Sequence, residues 1–424
     1  MARVVVIGLD GVPEELLRDL CARGVMPRLS ATVAGGRLLR ISSTYPPLSS
    51  VAWSTVLTGV GPAEHGIFGF AECDPRTYRY TFPFVDALKA PPLWQVLAAA
   101  GKRCAFLNVP STYPAPAVHG VLVSGFVAPS LRDAVWPRSL LPALEAEGYA
   151  VDVDARLGHT DTHAFLDALD RVLAGRMQLV RRVWGREAWD FFMLVFTGTD
   201  RLLHFLFDAW QDAAHPAHAR FLAYFARLDT ALGELFDLLA DDDVLLMLSD
   251  HGFGPLRREI YTNEVLRELG FLSLRAAAPT DLTSIAPESR AFALDPGRIY
   301  LHTRERFARA QAPASDALLA QVAAKIEELC AARAIKGKVL RGKDIYAGPY
   351  ACAAPDLLVV GADGDDWKGR VGTGSVTGRQ AFTGCHTIDN AFFLLRAPRE
   401  IPLPEKVGLS TVAHCVRWHY GIGA

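Results

Sequence analysis

The chain has 424 residues, half of them apolar and 21% charged, with 44 Lys plus Arg against 46 Asp plus Glu for a formal charge of −2. That length leaves room for two or three structural units, and so apolar a composition excludes a disordered chain. The near-zero charge gives no overall basic footprint for nucleic acid or for an anionic membrane.

The first expected element is a strand, Val4 to Leu9, which meets Asp10 too soon to be a signal-peptide core. Pro13 to Ala22 reads as a helix, and Pro46 to Gly59 is a turn-rich segment carrying Ser49, Ser50 and Thr58-Gly59. A helix at Trp94 to Ala100 and a strand at Lys102 to Asn108 follow. Long amphipathic helices are expected at Asp161 to Trp184 and Ala217 to Ala240, alternating with apolar strands at Asp190 to Phe196 and Asp243 to Leu248. The texture then changes: an Ala/Pro/Thr/Ser stretch at 276 to 287, a strand at Arg298 to His302 and a helix at about 315 to 334 read as an insertion. Strand character resumes at Asp356 to Val360 and at Ala391 to Leu395. Alternating short strands and helices predict an α/β sheet with helices on both faces. The expected division is a catalytic core at 1–270, an inserted cap at 271–350 and completion of the core at 351–424.

No apolar run approaches the roughly 18 residues of a membrane span. Seven cysteines, an odd number without a CxxC pair, fit a reducing compartment, so the expected location is the cytoplasm.

Polar clusters stand after, or close to, these strands: Gly8-Leu9-Asp10-Gly11, Pro46 to Ser50, Thr197-Gly198-Thr199-Asp200 with His204, Ser249-Asp250-His251-Gly252, and Gly384-Cys385-His386-Thr387. In an open α/β sheet such clusters converge outside the carboxyl ends of the strands. Three Asp, three His and a hydroxyl suit two divalent ions of the zinc type, with manganese an alternative. Two ions placed together clamp the attacking and leaving oxygens of a phosphoryl displacement.

This ordered set, together with Pro62-Ala63-Glu64-His65-Gly66-Ile67, resembles the alkaline phosphatase superfamily, most closely its type I phosphodiesterase/nucleotide pyrophosphatase branch and predicted cytosolic relatives. The resemblance implies an alkaline-phosphatase-like α/β core with a smaller cap. It implies one ion among Asp10, Ser49, Asp250 and His251, and a second among Asp200, His204 and His386, usually both zinc. It also implies a Ser or Thr nucleophile nine residues before the Thr of the Thr-Gly pair, which from Thr58 is Ser49; the adjacent Ser50 is the rival. His65 is expected to be structural.

Two departures shape the expected chemistry. The Asn expected to hold phosphoryl oxygens is missing, since position 52 is Ala and 53 is Trp; Asn108 is the proposed substitute, and Trp53 is either a stacking surface or core. No Lys or Arg lies between Arg40 and Arg76, so the guanidinium that pairs a dianionic monoester is absent beside the serine. A diester or pyrophosphate, a small phosphorylated or nucleotide-like substrate, is therefore favoured. Arg201 or Lys368 reaching in from other loops keeps a phosphomonoesterase, phosphonate hydrolase or phosphomutase as the alternative. A non-catalytic binding protein of the same fold would carry a degraded ligand set, and here every ligand position is filled.

Overall fold

The computed structural model describes residues 2–275 and 281–423, so positions 276–280 of the expected Ala/Pro/Thr/Ser stretch lie outside the described residues. Its centre is an eight-stranded sheet in the order Arg37–Ile41, Ala391–Arg396, Val244–Leu248, Val4–Leu9, Phe191–Phe196, Cys104–Val109, Gly120–Ser124, Val135–Trp136. The five strands from Val244–Leu248 to Gly120–Ser124 run parallel; four of them are apolar runs expected from the sequence, whereas Gly120–Ser124 is not among the expected strands. Parallel strands buried on both faces need apolar side chains on both faces, which is why these runs do not alternate.

Val5, Ile7 and Leu9 point to a core shared with the helices Glu14–Ala22, Thr162–Trp184, Gly198–Gln211 and His218–Asp237. Val4 and Val6 point to the opposite core, closed by Ser49–Thr58, Leu93–Ala99 and Thr411–Tyr420. The expected α/β architecture with helices on both faces is therefore the observed one, and its elements fall close to their expected spans. Among the described residues no helix is long and apolar enough to cross a membrane.

One strand lies elsewhere than expected. Leu357–Gly361 does not rejoin the main sheet; it pairs with both Arg298–Leu301 and Gly337–Arg341 in a separate four-stranded sheet begun by Ala291–Leu294. A β-branched run specifies a buried strand but not its neighbours, and here a third apolar core under Asp316–Ala332 supplies the burial. A three-stranded sheet of Asp365–Lys368, Arg258–Tyr261 and Thr377–Gly378 joins this lobe to the main one.

Candidate metal centre

Three adjacent parallel strands, Val244–Leu248, Val4–Leu9 and Phe191–Phe196, end side by side and deliver Asp250, Asp10 and Asp200 to one edge. The turn after Asp10 needs the positive φ of Gly11 (+71°), and the Gly11 N–H donates to Asp250 Oδ1 at 3.1 Å, joining two of the strand ends. Asp200 lies in the first turn of Gly198–Gln211, with His204 one turn on. That helix breaks at Leu206, where the Phe207 N–H donates to Thr383 Oγ1 and the Thr383 N–H donates to His204 O, each at 2.8 Å. The break thus ties His204 to the strand Gly384–Thr387, which carries His386 and pairs with Gly252–Pro255 so that Phe253 faces His386. Ser49 opens the helix Ser49–Thr58.

All seven expected ligands meet here. His386 Nε2 is 2.9 Å from His204 Nε2 and 3.1 Å from Asp200 Oδ1. His251 Nε2 is 3.6 Å from Asp10 Oδ1 and 3.5 Å from Asp250 Oδ2, and its ring stacks on His386 at 3.7 Å. The Ser49 hydroxyl lies between Asp10 Oδ1 (3.4 Å) and His251 Nε2 (3.3 Å), whereas Ser50 Oγ is buried with no hydrogen-bond partner among the described residues. The candidate ligand atoms of Asp200, His204 and His386 lie within 4.8 Å of one another, and so do those of Asp10, Asp200 and His251.

The donor set fits cations. Pro47 O and Gly252 O can only accept, so Nδ1 of His386 (2.8 Å) and of His251 (3.1 Å) must donate to them, which leaves both Nε2 lone pairs facing inward. Asp250 Oδ2 is buried with no hydrogen-bond partner among the described residues, an expensive state for a carboxylate oxygen unless a cation meets it. Burial, with the charges of Asp250 and Asp200, raises the Asp10 carboxyl well above its ordinary range. Burial and Asp200 push Asp250 up to about 7. For Asp200 burial acts upward too, but His204, His386 and Arg201 outweigh it and hold that carboxyl well below the usual range. Burial lowers His204 to about 3 and His251 well below an ordinary imidazole, so both are neutral at pH 7.

Two expected substrate contacts are corrected. Trp53 is wholly buried: its indole N–H donates to Asp10 Oδ2 at 3.0 Å, and its ring lies where a side chain on Gly8 would collide, so no face is open for stacking. Asn108 is also wholly buried and donates to Val195 O at 3.0 Å, fastening the end of the strand that leads to Asp200. His65 is a buried loop tie, accepting from the Ile67 N–H at 3.2 Å and meeting Thr55 Oγ1 at 3.0 Å. Sequence reasoning missed Thr199, whose hydroxyl donates to Asp10 O at 2.6 Å, and Asp152, which pairs with Arg201 at 2.7 Å. Neither carries a local signal, because each partner is distant in the chain.

Replacing Trp53 by Phe is expected to weaken the binding of added zinc at Asp10 about 10- to 100-fold, the usual cost of losing a partner that orients a metal-binding side chain. Chelator-competition titration reads this, and unchanged affinity would show that Asp10 needs no indole.

The family model described as type I phosphodiesterase/nucleotide pyrophosphatase matches residues 4–378, a span that includes every expected ligand except His386. Comparison with curated proteins gave no match. Among solved structures, the fold is similar to phosphonoacetate hydrolase from Sinorhizobium meliloti 1021 in complex with phosphonoacetate: TM-score 0.65, 16% identity, 98% of this chain and 96% of that one. It is also similar to murine ectonucleotide pyrophosphatase/phosphodiesterase 5 in complex with AMP: TM-score 0.60, 14% identity, 100% and 96% coverage. The human form of that protein gives a TM-score of 0.59 at 14% identity, again with 100% and 96% coverage. At these identities the likeness is one of fold.

Proposed function

Because this chain belongs to the type I phosphodiesterase/nucleotide pyrophosphatase family and is a metal-dependent phosphohydrolase, we propose that it is a phosphodiesterase or nucleotide pyrophosphatase working through a phospho-seryl intermediate on Ser49. The observation that carries the reading is the Ser49 hydroxyl, held 3.4 Å from Asp10 Oδ1 and 3.3 Å from His251 Nε2 at the start of a helix. Asp10, Ser49, Asp250 and His251 would hold one ion; Asp200, His204 and His386 would hold the other. Two divalent ions bound there, zinc by ligand type, would supply the positive charge that lowers the proton affinity of the hydroxyl and offsets the phosphoryl oxygens. Ser49 Oγ attacks phosphorus in line as the bond to the leaving oxygen breaks and the hydroxyl proton passes by way of solvent to the departing group. The phospho-seryl intermediate keeps the other ester group, and water then cleaves its Ser49 O–P bond, releasing a phosphomonoester and returning the enzyme.

The charge around the serine favours a diester. No Lys or Arg occurs between Arg40 and Arg76, and Arg201 is already engaged by Asp152 and Asp200. A monoanionic diester needs less compensation than a terminal phosphate. We assign substrate choice to the cap at 271–350 together with the strand Leu357–Gly361 that completes its sheet. The reading goes with a cytoplasmic location, supported by seven cysteines that are all free thiols.

The test is a panel on zinc-loaded protein: bis-p-nitrophenyl phosphate and a thymidine 5′-ester of p-nitrophenol against p-nitrophenyl phosphate. The diesters are expected to be cleaved faster. A strong preference for the monoester overturns the reading, and phosphoryl transfer to an acceptor with little free phosphate would mark a mutase.

A further inference from the structure

We infer that Asp152 and Arg201 form a charge pair that sets which phosphoryl group the metal centre accepts, a specificity device resting on the hydrolase reading above. Arg201 follows Asp200 on the helix Gly198–Gln211. Its Nε and Nη2 donate to Asp152 Oδ2 at 3.0 and 2.7 Å, and its Nη1 donates to Asp200 Oδ2 at 3.3 Å. Asp200 Oδ1, the other oxygen, faces His386. The guanidinium therefore backs the oxygen turned away from the imidazoles, one carboxylate removed from the centre. Its other side is aromatic: Cζ lies 4.2 Å from the ring centre of Phe126, which packs edge-on against Phe70 at 5.3 Å, and both rings are only half-buried. Arg201 thus stands between the metal centre and a partly open aromatic wall.

A guanidinium carries five N–H groups, and the three bonds above leave one on each Nη nitrogen for a phosphoryl oxygen. The charge, however, is oversubscribed. One cation faces two carboxylates, so the group as a whole is anionic and offers nothing extra to a dianion. Asp152 is the member free to change, because Asp200 is committed as a ligand. Exchanging its carboxylate for an amide of the same shape leaves a hydrogen-bond acceptor for Arg201 but removes one negative charge. The guanidinium then becomes the bidentate phosphate partner that the segment around Ser49 lacks.

The experiment compares kcat/KM for p-nitrophenyl phosphate and bis-p-nitrophenyl phosphate on zinc-loaded wild type, D152N, R201Q and D152N/R201Q, with zinc content measured for each. D152N is expected to raise the monoester-to-diester ratio about tenfold, and the double variant to return it to within about twofold of wild type, because the gain needs the guanidinium. R201Q gives an independent reading if D152N does not fold: it should cost the monoester rate at least about threefold more than the diester rate. Equal losses on both esters would mean that Arg201 only braces Asp200, and would overturn the inference. An unchanged ratio in D152N, on an enzyme whose wild type cleaves the diester, overturns the inference and leaves the diesterase reading standing. A wild type inert toward the diester overturns both.

Discussion

Ser49→Ala is expected to lower turnover by about a thousandfold or more, while zinc content stays near two per chain. The hydroxyl touches Asp10 Oδ1 and His251 Nε2 only at 3.4 and 3.3 Å, so removing it takes little from the fold and leaves six charged or imidazole ligands in place. What is lost is the one oxygen at the head of the helix Ser49–Thr58 that faces both an aspartate and an imidazole of the centre. Ser50→Ala is the matched control. Its hydroxyl is buried and makes no hydrogen bond among the described residues, so its loss should change turnover by less than about threefold. Acid quenching during turnover followed by intact-mass measurement separates the two, with a phosphoryl adduct on wild type and the Ser50 variant and none on the Ser49 variant. Full activity without the Ser49 hydroxyl would remove it from the mechanism.

The chain states its central chemistry openly and its supporting contacts hardly at all. Val4–Leu9, Phe191–Phe196 and Val244–Leu248 are legible because a strand buried on both faces must be an unbroken apolar run. Asp10, Asp200 and Asp250 are legible because each follows such a run closely, and a parallel sheet brings those ends together. The bond from Trp53 to Asp10 is different. It spans 43 residues and exists because Gly8 has no side chain where the indole lies, a fact of packing that no local pattern encodes. The pairing of Asp152 with Arg201 and the tie of Thr383 to His204 are likewise made across 49 and 179 residues by the fold alone. Leu357–Gly361 shows the same limit for strands: the run reads correctly as buried, while its partners were settled by a third core, away from the main sheet. The residues that gather at the candidate centre are thus readable from position in the chain, whereas the groups that aim them are readable only from space.

That division bears on how the centre should respond to pH. Zinc affinity at the site of Asp10, Asp250 and His251 is expected to fall about tenfold for each unit below pH 7, for each proton the ion must displace. Asp250, pushed up to about 7 by burial and by Asp200, keeps its proton at pH 6 in the metal-free protein, and Asp10 is raised as well. Neither His204 nor His251 adds a competing proton in this window, since His204 lies at about 3 and His251 is also lowered well below its ordinary value. At the other site Asp200 is held low and stays ionised, so its ion should be lost less steeply. Thermal stability of the metal-free protein alone is a blunt readout, because its groups oppose one another. Asp250 contributes with its proton on, a contribution lost as pH climbs from 3.8 toward about 7, whereas His204 contributes above 6.5 and loses its share as pH falls from 6.5 toward about 3. The difference in Tm between zinc-loaded and chelator-treated protein removes that background. At a thousandfold excess over Kd, one bound ion stabilises by about 4 kcal/mol, so this difference should widen from pH 5 to 7 and then level off. Chelator competition at pH 5, 6, 7 and 8 should resolve one steep and one shallow site. Two sites weakening in parallel with a midpoint near 6.5 would instead mean that histidine protons are being displaced, and that the buried carboxylates do not govern loading.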